Sequence, residues 1–143
     1  MLLNINEQIV FVATIKKFED IGAWQKARLL CDEIHKISIE TELSKDFRLR
    51  DQINAASGSI MDNIAEGFER GGKLEFINFL GIAKGSCAEV RSQLYRLLDR
   101  KYITNEKFAE LYKLSEEIGS MIGGLINYLN KSEIKGTKFK DRV

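Results

Sequence analysis

The chain has 143 residues, of which 44% are hydrophobic and 30% charged, a balance typical of one folded domain and not of a disordered protein. Its 22 basic and 21 acidic residues give a net charge of +1. This near balance excludes a general attraction to polyanions, so any binding of nucleic acid must depend on a local patch. The absence of proline favours long helices, because proline is the strongest helix breaker.

The sequence predicts no single conformation for the N-terminal extension, residues 1–17, because residues 9–12 suit either a strand or a helix. Its apolar run from Ile9 to Ile15 is broken by Thr14, follows no basic residue and is too short to cross a bilayer. No other stretch approaches the roughly 18 consecutive apolar residues of a membrane span. We therefore expect a cytoplasmic protein that does not associate with membranes.

The first two helices are predicted by apolar residues that recur every three or four positions. The first helix opens after Asp20, a candidate N-cap, and runs to about Glu40. The second opens near Ser44, has Asp46 in its first turn and ends near Gly67. The apolar stripes are Ala23, Ala27, Leu30, Ile34 and Ile37 in the first helix and Leu49, Ile53, Ala56, Ile60 and Ile64 in the second.

A run of small residues, Ala55-Ala56-Ser57-Gly58-Ser59, occupies the middle of the second helix. Gly58 costs about 1 kcal/mol of helix propensity relative to alanine, so we expect a packing reason such as the close approach of a neighbouring helix. We interpret Ser57 and Ser59 as helix-contact residues rather than nucleophiles. Gly71-Gly72 marks the turn that follows.

The third and fourth helices are predicted to be the longest, at about 26 to 28 residues or roughly 40 Å each. Their stripes are Phe76, Leu80, Ala83, Cys87, Val90, Leu94 and Leu97 in the third helix and Phe108, Leu111, Ser115, Ile118, Ile122, Leu125 and Leu129 in the fourth. The fourth helix opens at Thr104, and the short turn at 101–103 predicts an antiparallel hairpin. The fold class is therefore all-α, an antiparallel up-down-up-down four-helix bundle over residues 18–130, followed by a basic, flexible tail at 131–143.

Catalytic chemistry is missing from the sequence. His35 is the single histidine, so neither the paired Glu-x-x-His motifs of di-iron bundles nor a zinc site can be assembled. Cys31 and Cys87 lie in helical patterns without a cationic cluster to lower a thiol pKa, and resemble buried apolar residues. No glycine-rich phosphate loop or nucleophile elbow occurs. The sequence predicts a protein that is not an enzyme and holds no metal or cofactor.

A polar line of Asn63, Glu66 and Arg70 runs along the end of the second helix, since these residues are three and four positions apart. Asn63 borders the apolar stripe, where a polar group needs a partner. The line either fixes packing against the next helix or subunit, or forms a site for a ligand or partner. The first interpretation is favoured, because buried polar networks often specify packing.

The segment from Ala56 to Arg70, with its Asn-Ile-Ala-Glu-Gly core, resembles the signature of the 23S rRNA intervening-sequence protein family, also labelled S23 ribosomal proteins. Three further segments resemble the family's first, second and third helices. They are Phe18-x-Asp20-Ile21-x-x-Trp24-Gln25-Lys26-Ala27, Leu49-x-x-Gln52-Ile53-x-x-Ala56 and Phe76-x-x-Phe79-Leu80-x-Ile82-Ala83-x-Gly85-Ser86-x-x-Glu89. The resemblance spans about residues 18–130. The chain departs from the family in two places. Met61 stands where the family often has a proline, near the Ser-Ile of the signature, and residues 1–17 are longer than the segment that usually precedes the family's first helix.

The resemblance implies a bacterial four-helix bundle that assembles into a ring-like homopentamer and has no assigned biochemical activity. A first functional interpretation is binding of RNA or DNA through Arg91, Arg96, Arg100 and Lys101. The tail supports it with five basic and two acidic residues, and a ring would multiply each basic patch. The competing interpretation is that these charges only solvate the outer faces of long helices.

The alternative function is a protein-interaction scaffold with no role in binding nucleic acid. Apolar residues outside the main stripes favour self-association or a protein partner. These residues are Trp24, Phe79, Ile82, Tyr112, Met121 and Ile126. The run Gly119-x-x-x-Gly123-Gly124 would also allow a neighbouring helix to approach closely.

Overall fold

A computed structural model describes residues 15–132, and this part of the chain forms four antiparallel helices. The helices are α1 Gly22–Glu40, α2 Phe47–Arg70, α3 Lys73–Asp99 and α4 Asn105–Lys131, and short 3-10 turns at Phe18–Asp20 and Glu42–Lys45 precede α1 and α2. The predicted all-α, up-down-up-down bundle is confirmed. Residues 1–14 and 133–143, which include the run of open conformation at 9–12 and most of the predicted flexible tail, lie outside the described residues.

The predicted apolar stripes form most of the core, and Ile21, Leu43 and Phe68, which lie outside the stripes, are also fully buried in it. Every stripe position is buried except Phe108 at the start of α4, which is half-buried. Helices α2 and α3 share the most extensive contact, α3 packs on α4, and α1 completes the bundle by packing on both α2 and α4. Ile15 is also buried, so the core includes a residue that precedes the predicted bundle boundary at residue 18. This apolar burial is the main driving force for folding, at about 25 cal/mol per Å².

Both predicted N-termini differ from the observed ones. Asp20 is not the N-cap of α1, because its Oδ2 turns back to accept hydrogen bonds from the backbone N–H groups of Lys16 and Lys17, at 2.9 and 3.2 Å. Those hydrogen bonds lower the pKa of the Asp20 carboxyl. Helix α2 starts at Phe47 and not at Ser44, and Asp46 is its N-cap rather than a residue of its first turn.

The end of α2 also lies beyond the predicted Gly67, since the helix continues to Arg70 and stops where Gly71 adopts φ 84°. Gly67 serves packing instead. A Cβ atom at Gly67 would lie 2.5 Å from the Cβ of Phe79 on α3, too close for any other residue without movement of one helix. The glycine therefore marks the closest approach of α2 and α3 and not a helix end.

The hairpin of α3 and α4 follows the prediction. The Oγ1 of Thr104 accepts a hydrogen bond from the Lys107 N–H at 3.1 Å and caps α4. The turn between the helices includes Lys101, which has φ 61° and donates its N–H to the Leu98 carbonyl. This turn places the C-terminus of α3 beside the start of α2.

Candidate functional site

The four residues predicted to bind nucleic acid do not form one patch. Arg91 and Arg96 are five residues apart on α3, which places them about 140° apart around the helix. Arg91 faces α4, with its guanidinium 6.0 Å from the ring centroid of Tyr112. Arg96 faces α2 and donates to Gln52 Oε1 at 3.3 Å.

The other two predicted residues lie at the end of the hairpin. Arg100 forms an ion pair with Asp46, and Lys101 is exposed in the turn. The Asp46 carboxylate also accepts a hydrogen bond from the Tyr102 hydroxyl at 2.9 Å. The bond from Tyr102, reinforced by Arg100, lowers the pKa of Asp46, and the same hydrogen bond raises the pKa of Tyr102. Asp46 thus fixes the start of α2 to the α3–α4 turn, and Arg100 acts in that contact.

The polar line of the second helix separates into two parts. Asn63 is half-buried and donates to the Ser59 carbonyl at 2.7 Å and to the Ser59 hydroxyl at 2.9 Å, and Ser86 of α3 donates to that hydroxyl at 3.0 Å. Asn63 therefore belongs to a hydrogen-bond chain between α2 and α3. The sequence did not indicate that Ser86 belongs to this hydrogen-bond chain, because its position opposite Ser59 depends on the register of the two helices.

Glu66 and Arg70 form an exposed pair, with 3.0 Å between Glu66 Oε1 and Arg70 Nη2. An exposed pair of this kind is worth about 0 to 1 kcal/mol because water and salt screen it. Arg70 also covers the Phe79 ring, with its guanidinium carbon 5.2 Å from the ring centroid. These two residues shield the close α2–α3 contact at Gly67.

A groove lies on the outer side of the hairpin, between α3 and α4, and has a volume of about 510 Å³. We call it the α3–α4 groove. Its lining is Gly81, Lys84, Gly85, Ala88 and Arg91 from α3 and Glu116, Gly119, Ser120 and Gly123 from α4. Apart from its charged residues, the lining consists of glycine, alanine and serine. The glycines of α4 were noted in the sequence, but their partners on α3 were missed because the pairing depends on how the two helices align.

An aromatic cluster of Tyr95, Phe108 and Tyr112 lies beside the groove, toward the α3–α4 turn. The ring centroids of Tyr95 and Phe108 are 4.9 Å apart, and those of Tyr95 and Tyr112 are 5.8 Å apart. Tyr95 is still 49% exposed, which is unusual for a large ring in a cluster. The cluster gives one end of the groove a wide apolar rim.

Most of the apolar residues outside the stripes are better covered than the sequence suggests. Trp24, Tyr112, Met121 and Ile126 pack partly buried against the core, and Phe79 is half-buried. Ile82 is the exception in this set, at 54% exposed. Other exposed large hydrophobic residues, which the sequence analysis did not single out, are Leu29, Ile39, Phe47 and Leu74.

The thiols and the histidine lack the setting of a reactive site. Burial raises the pKa of Cys87 to about 11 and also raises the pKa of Cys31, so both stay protonated at neutral pH. His35 is exposed on α1. Within residues 15–132, no group of three or more His, Cys, Asp and Glu side chains is placed to hold a metal ion. None of the four helices has the length and apolar character that crossing a bilayer requires.

Comparisons with known proteins agree with the fold and the sequence signature. The structure resembles a crystal structure of a protein of unknown function from the S23 ribosomal protein family of Bacteroides thetaiotaomicron VPI-5482. The TM-score is 0.68 and the sequence identity is 26%, over 73% of this chain and 95% of that one. No match was found among curated proteins. The family model of the 23S rRNA-intervening sequence protein matches residues 19–124, and the chain belongs to that family.

Proposed function

We propose that this protein is a non-enzymatic helical bundle that self-associates and serves as an interaction scaffold. The observation that carries the proposal is a set of helical glycines for which packing within residues 15–132 gives no reason. A Cβ atom at Gly58, Gly81, Gly85 or Gly124 would meet nothing within 4 Å. Each glycine costs about 1 kcal/mol of helix propensity relative to alanine.

A cost repeated at four positions calls for a compensating contact, and close approach of a helix from outside the chain is the contact that glycine permits. Exposed Ile82 and Tyr95 on α3 add apolar surface that association would bury. The expected assembly is the ring-like homopentamer that the family resemblance implies. Such rings form when one surface of each copy binds a different surface of the next.

The first test is the molar mass of the full chain, measured by light scattering after size exclusion and by native mass spectrometry. A mass of several chains that persists on dilution to the low micromolar range supports the proposal. A monomer at all concentrations up to about 100 μM contradicts it, since a scaffold of weaker affinity than that would be dissociated.

Binding of RNA or DNA is the second candidate function, favoured by the basic C-terminal sequence. Residues 131–143 contain five basic and two acidic residues, which leaves 17 basic and 19 acidic residues in the first 130. Several tails in one oligomer would concentrate this charge. Lys101 and Arg91 would extend the contact, because Lys101 is exposed and Arg91 lines the α3–α4 groove.

The test compares a structured RNA and a duplex DNA of matched length at low and near-physiological salt. Phosphate contacts predict tight binding at low salt that weakens as salt rises. Replacing Arg91, Arg96 and Arg100 with alanine, and separately removing residues 131–143, distinguishes the bundle from the tail as the binding element. Absence of binding at low salt would exclude this second function.

A further inference from the structure

We infer that the α3–α4 groove receives the outer face of α2 from a second copy of the chain, with Asp62 of one copy beside Lys84 of the next. We define the outer face of α2 as Asp51, Ala55, Gly58, Asp62 and Ala65. This inference rests on the proposed self-association and names the two surfaces that meet. Both surfaces lie within the described residues, and neither is covered by another part of residues 15–132.

The groove is shaped for a helix with small side chains. Gly81, Gly85 and Ala88 follow each other at four- and three-residue spacing along α3, and Gly119 and Gly123 are four apart on α4. Residues at these spacings lie on one helix face. The side chains of Lys84 and Arg91 reach across to α4, since Lys84 Nζ and Arg91 Nη1 lie 3.6 and 3.7 Å from where Cβ atoms of Gly123 and Gly119 would be. The open part of the groove runs along Gly81 and Gly85, where a helix with glycine and alanine on its contact face can approach more closely than a bulky one.

The outer face of α2 has that composition. Its five residues are spaced by four, three, four and three positions, so they form one stripe on the side opposite the buried stripe of the same helix. Asp51, Ala55 and Asp62 are exposed, and Gly58 and Ala65 are half-buried. Space for a Cβ at Gly58 is open within the chain, so its small size is available to a partner.

The two surfaces carry opposite net charge, since the groove lining has Lys84, Arg91 and the acidic Glu116, and the outer face of α2 has Asp51 and Asp62. Lys84 is exposed in the groove, and Arg91 lies seven residues, or about 10 Å, further along α3. No salt bridge within residues 15–132 involves Lys84 or Asp62. Asp62 lies in this stripe between Gly58 and Ala65. Pairing it with Lys84 brings opposite charges together where the backbones approach most closely.

The contact must be made between different copies. Lys84 lies on the side of α3 that faces α4, whereas α3 meets α2 through Ser86 on its other side. The outer face of α2 points away from the bundle. Because the two surfaces are different and lie on different sides of one chain, their contact is head-to-tail and repeats from copy to copy.

The test reverses each charge and then both. In Lys84→Glu and in Asp62→Lys, like charges would meet, and we expect association to weaken by about tenfold or more. The double variant Lys84→Glu/Asp62→Lys restores opposite charges and should return to within about threefold of the wild-type association constant. Both positions are exposed, so the variants should fold, and circular dichroism checks this. Lys113→Glu is the matched control, since Lys113 is an exposed lysine of α4 outside the groove lining.

Gly85→Leu is a second, steric variant. The open space at Gly85 means that leucine should leave the single bundle folded while it fills the groove and abolishes association. Unchanged association in Gly85→Leu, or a double charge variant no better than the single ones, would overturn the inference. If the wild type associates and these variants associate equally well, the groove is not the interface, and the proposal of self-association stands. If the wild type is monomeric, both proposals fail. They also fail if a monomeric wild type is found to bind an acidic helix of a different protein in the groove.

Discussion

Glycine has two opposite roles in these helices, and the difference is visible only at the scale of single residues. At Gly67 a Cβ atom would lie 2.5 Å from the Cβ of Phe79, so the fold of one chain requires glycine. At Gly58, Gly85 and Gly124 the space is open, and no contact in the described part of the chain requires glycine. From the sequence, both kinds look like the same small-residue pattern.

We predict that Gly67→Ala lowers the free energy of unfolding by about 1 to 3 kcal/mol, because overpacking must push α2 and α3 apart. Gly124→Ala is the control, since it lies outside the groove lining and should raise stability by up to about 1 kcal/mol through helix propensity. Urea unfolding followed by circular dichroism measures both. A Gly67→Ala variant as stable as Gly124→Ala would contradict the close contact with Phe79.

The two cysteines should differ in reactivity, although both have a raised thiol pKa. Cys87 is fully buried and its pKa lies at about 11, whereas Cys31 is half-buried. We predict that a thiol reagent at about pH 8 modifies Cys31 first and Cys87 only as fast as the protein unfolds. In the variant Cys31→Ala, Cys87 is the one remaining thiol, so its rate of modification is measured by itself. Rapid modification of Cys87 in that folded variant would show that the region around it opens.

The sequence predicts the helices and their order well, but it predicts the polar contacts between them poorly. The apolar stripes suffice because burial decides which helix face points inward, and they placed α3, α4 and their turn correctly. The helix starts were harder. Asp20 and Asp46 are equally good cap residues, and a 3-10 turn precedes each helix. Asp20 lies inside its turn and accepts hydrogen bonds from the residues before it, whereas Asp46 follows its turn and accepts one from Leu49 of α2.

The candidate site was less predictable than the fold for a similar reason. The spacing of Arg91 and Arg96 already implies two faces of one helix, but whether those faces meet α4 or α2 is a matter of tertiary packing. Asn63 finds its partner Ser59 within α2, but the link from Ser59 to Ser86 is set by the register of α2 against α3, which the stripes leave free to shift by a turn. The spacing of apolar residues predicts which way a side chain points around its helix better than it predicts which residue of a neighbouring helix it contacts.

The Asp46 carboxylate joins two elements, and this predicts a pH dependence. Because the bond from Tyr102 and the ion pair with Arg100 lower its folded pKa, its stabilising contribution is complete above the unfolded pKa of about 3.9. The contribution is lost as pH falls through the folded pKa. We predict that Asp46→Asn lowers Tm at neutral pH, and that its Tm difference from wild type narrows below about pH 4.

Thermal unfolding at several pH values between about 7 and 3 measures this difference. Asp99→Asn is a useful control, because Asp99 is an exposed carboxylate at the same end of the bundle. A Tm difference for Asp46→Asn that stays constant down to the lowest pH would mean that the contact acts through the N-cap geometry alone, without the carboxylate charge.

Across the bundle, the hydrogen bonds that join α2 to α3 and the surfaces lined by small residues lie in different places. Hydrogen bonds through Ser59, Asn63 and Ser86 join α2 to α3 inside the bundle. The α3–α4 groove and the outer face of α2 lie outside it and are not covered by any other part of residues 15–132. The proposed head-to-tail contact would pair these two different surfaces, as each contact of a ring does.

This head-to-tail arrangement makes a prediction about mixtures. Asp62→Lys keeps a wild-type groove, and Lys84→Glu keeps a wild-type α2, so alternating copies of the two variants bring opposite charges together at every contact. We expect each variant alone to associate poorly and an equimolar mixture to associate well. Alternation closes only with an even number of chains, whereas the double variant has no such constraint. Native mass spectrometry should therefore find even-numbered assemblies in the mixture and the wild-type number in the double variant. A mixture that stays as dissociated as its components would show that these two surfaces do not meet.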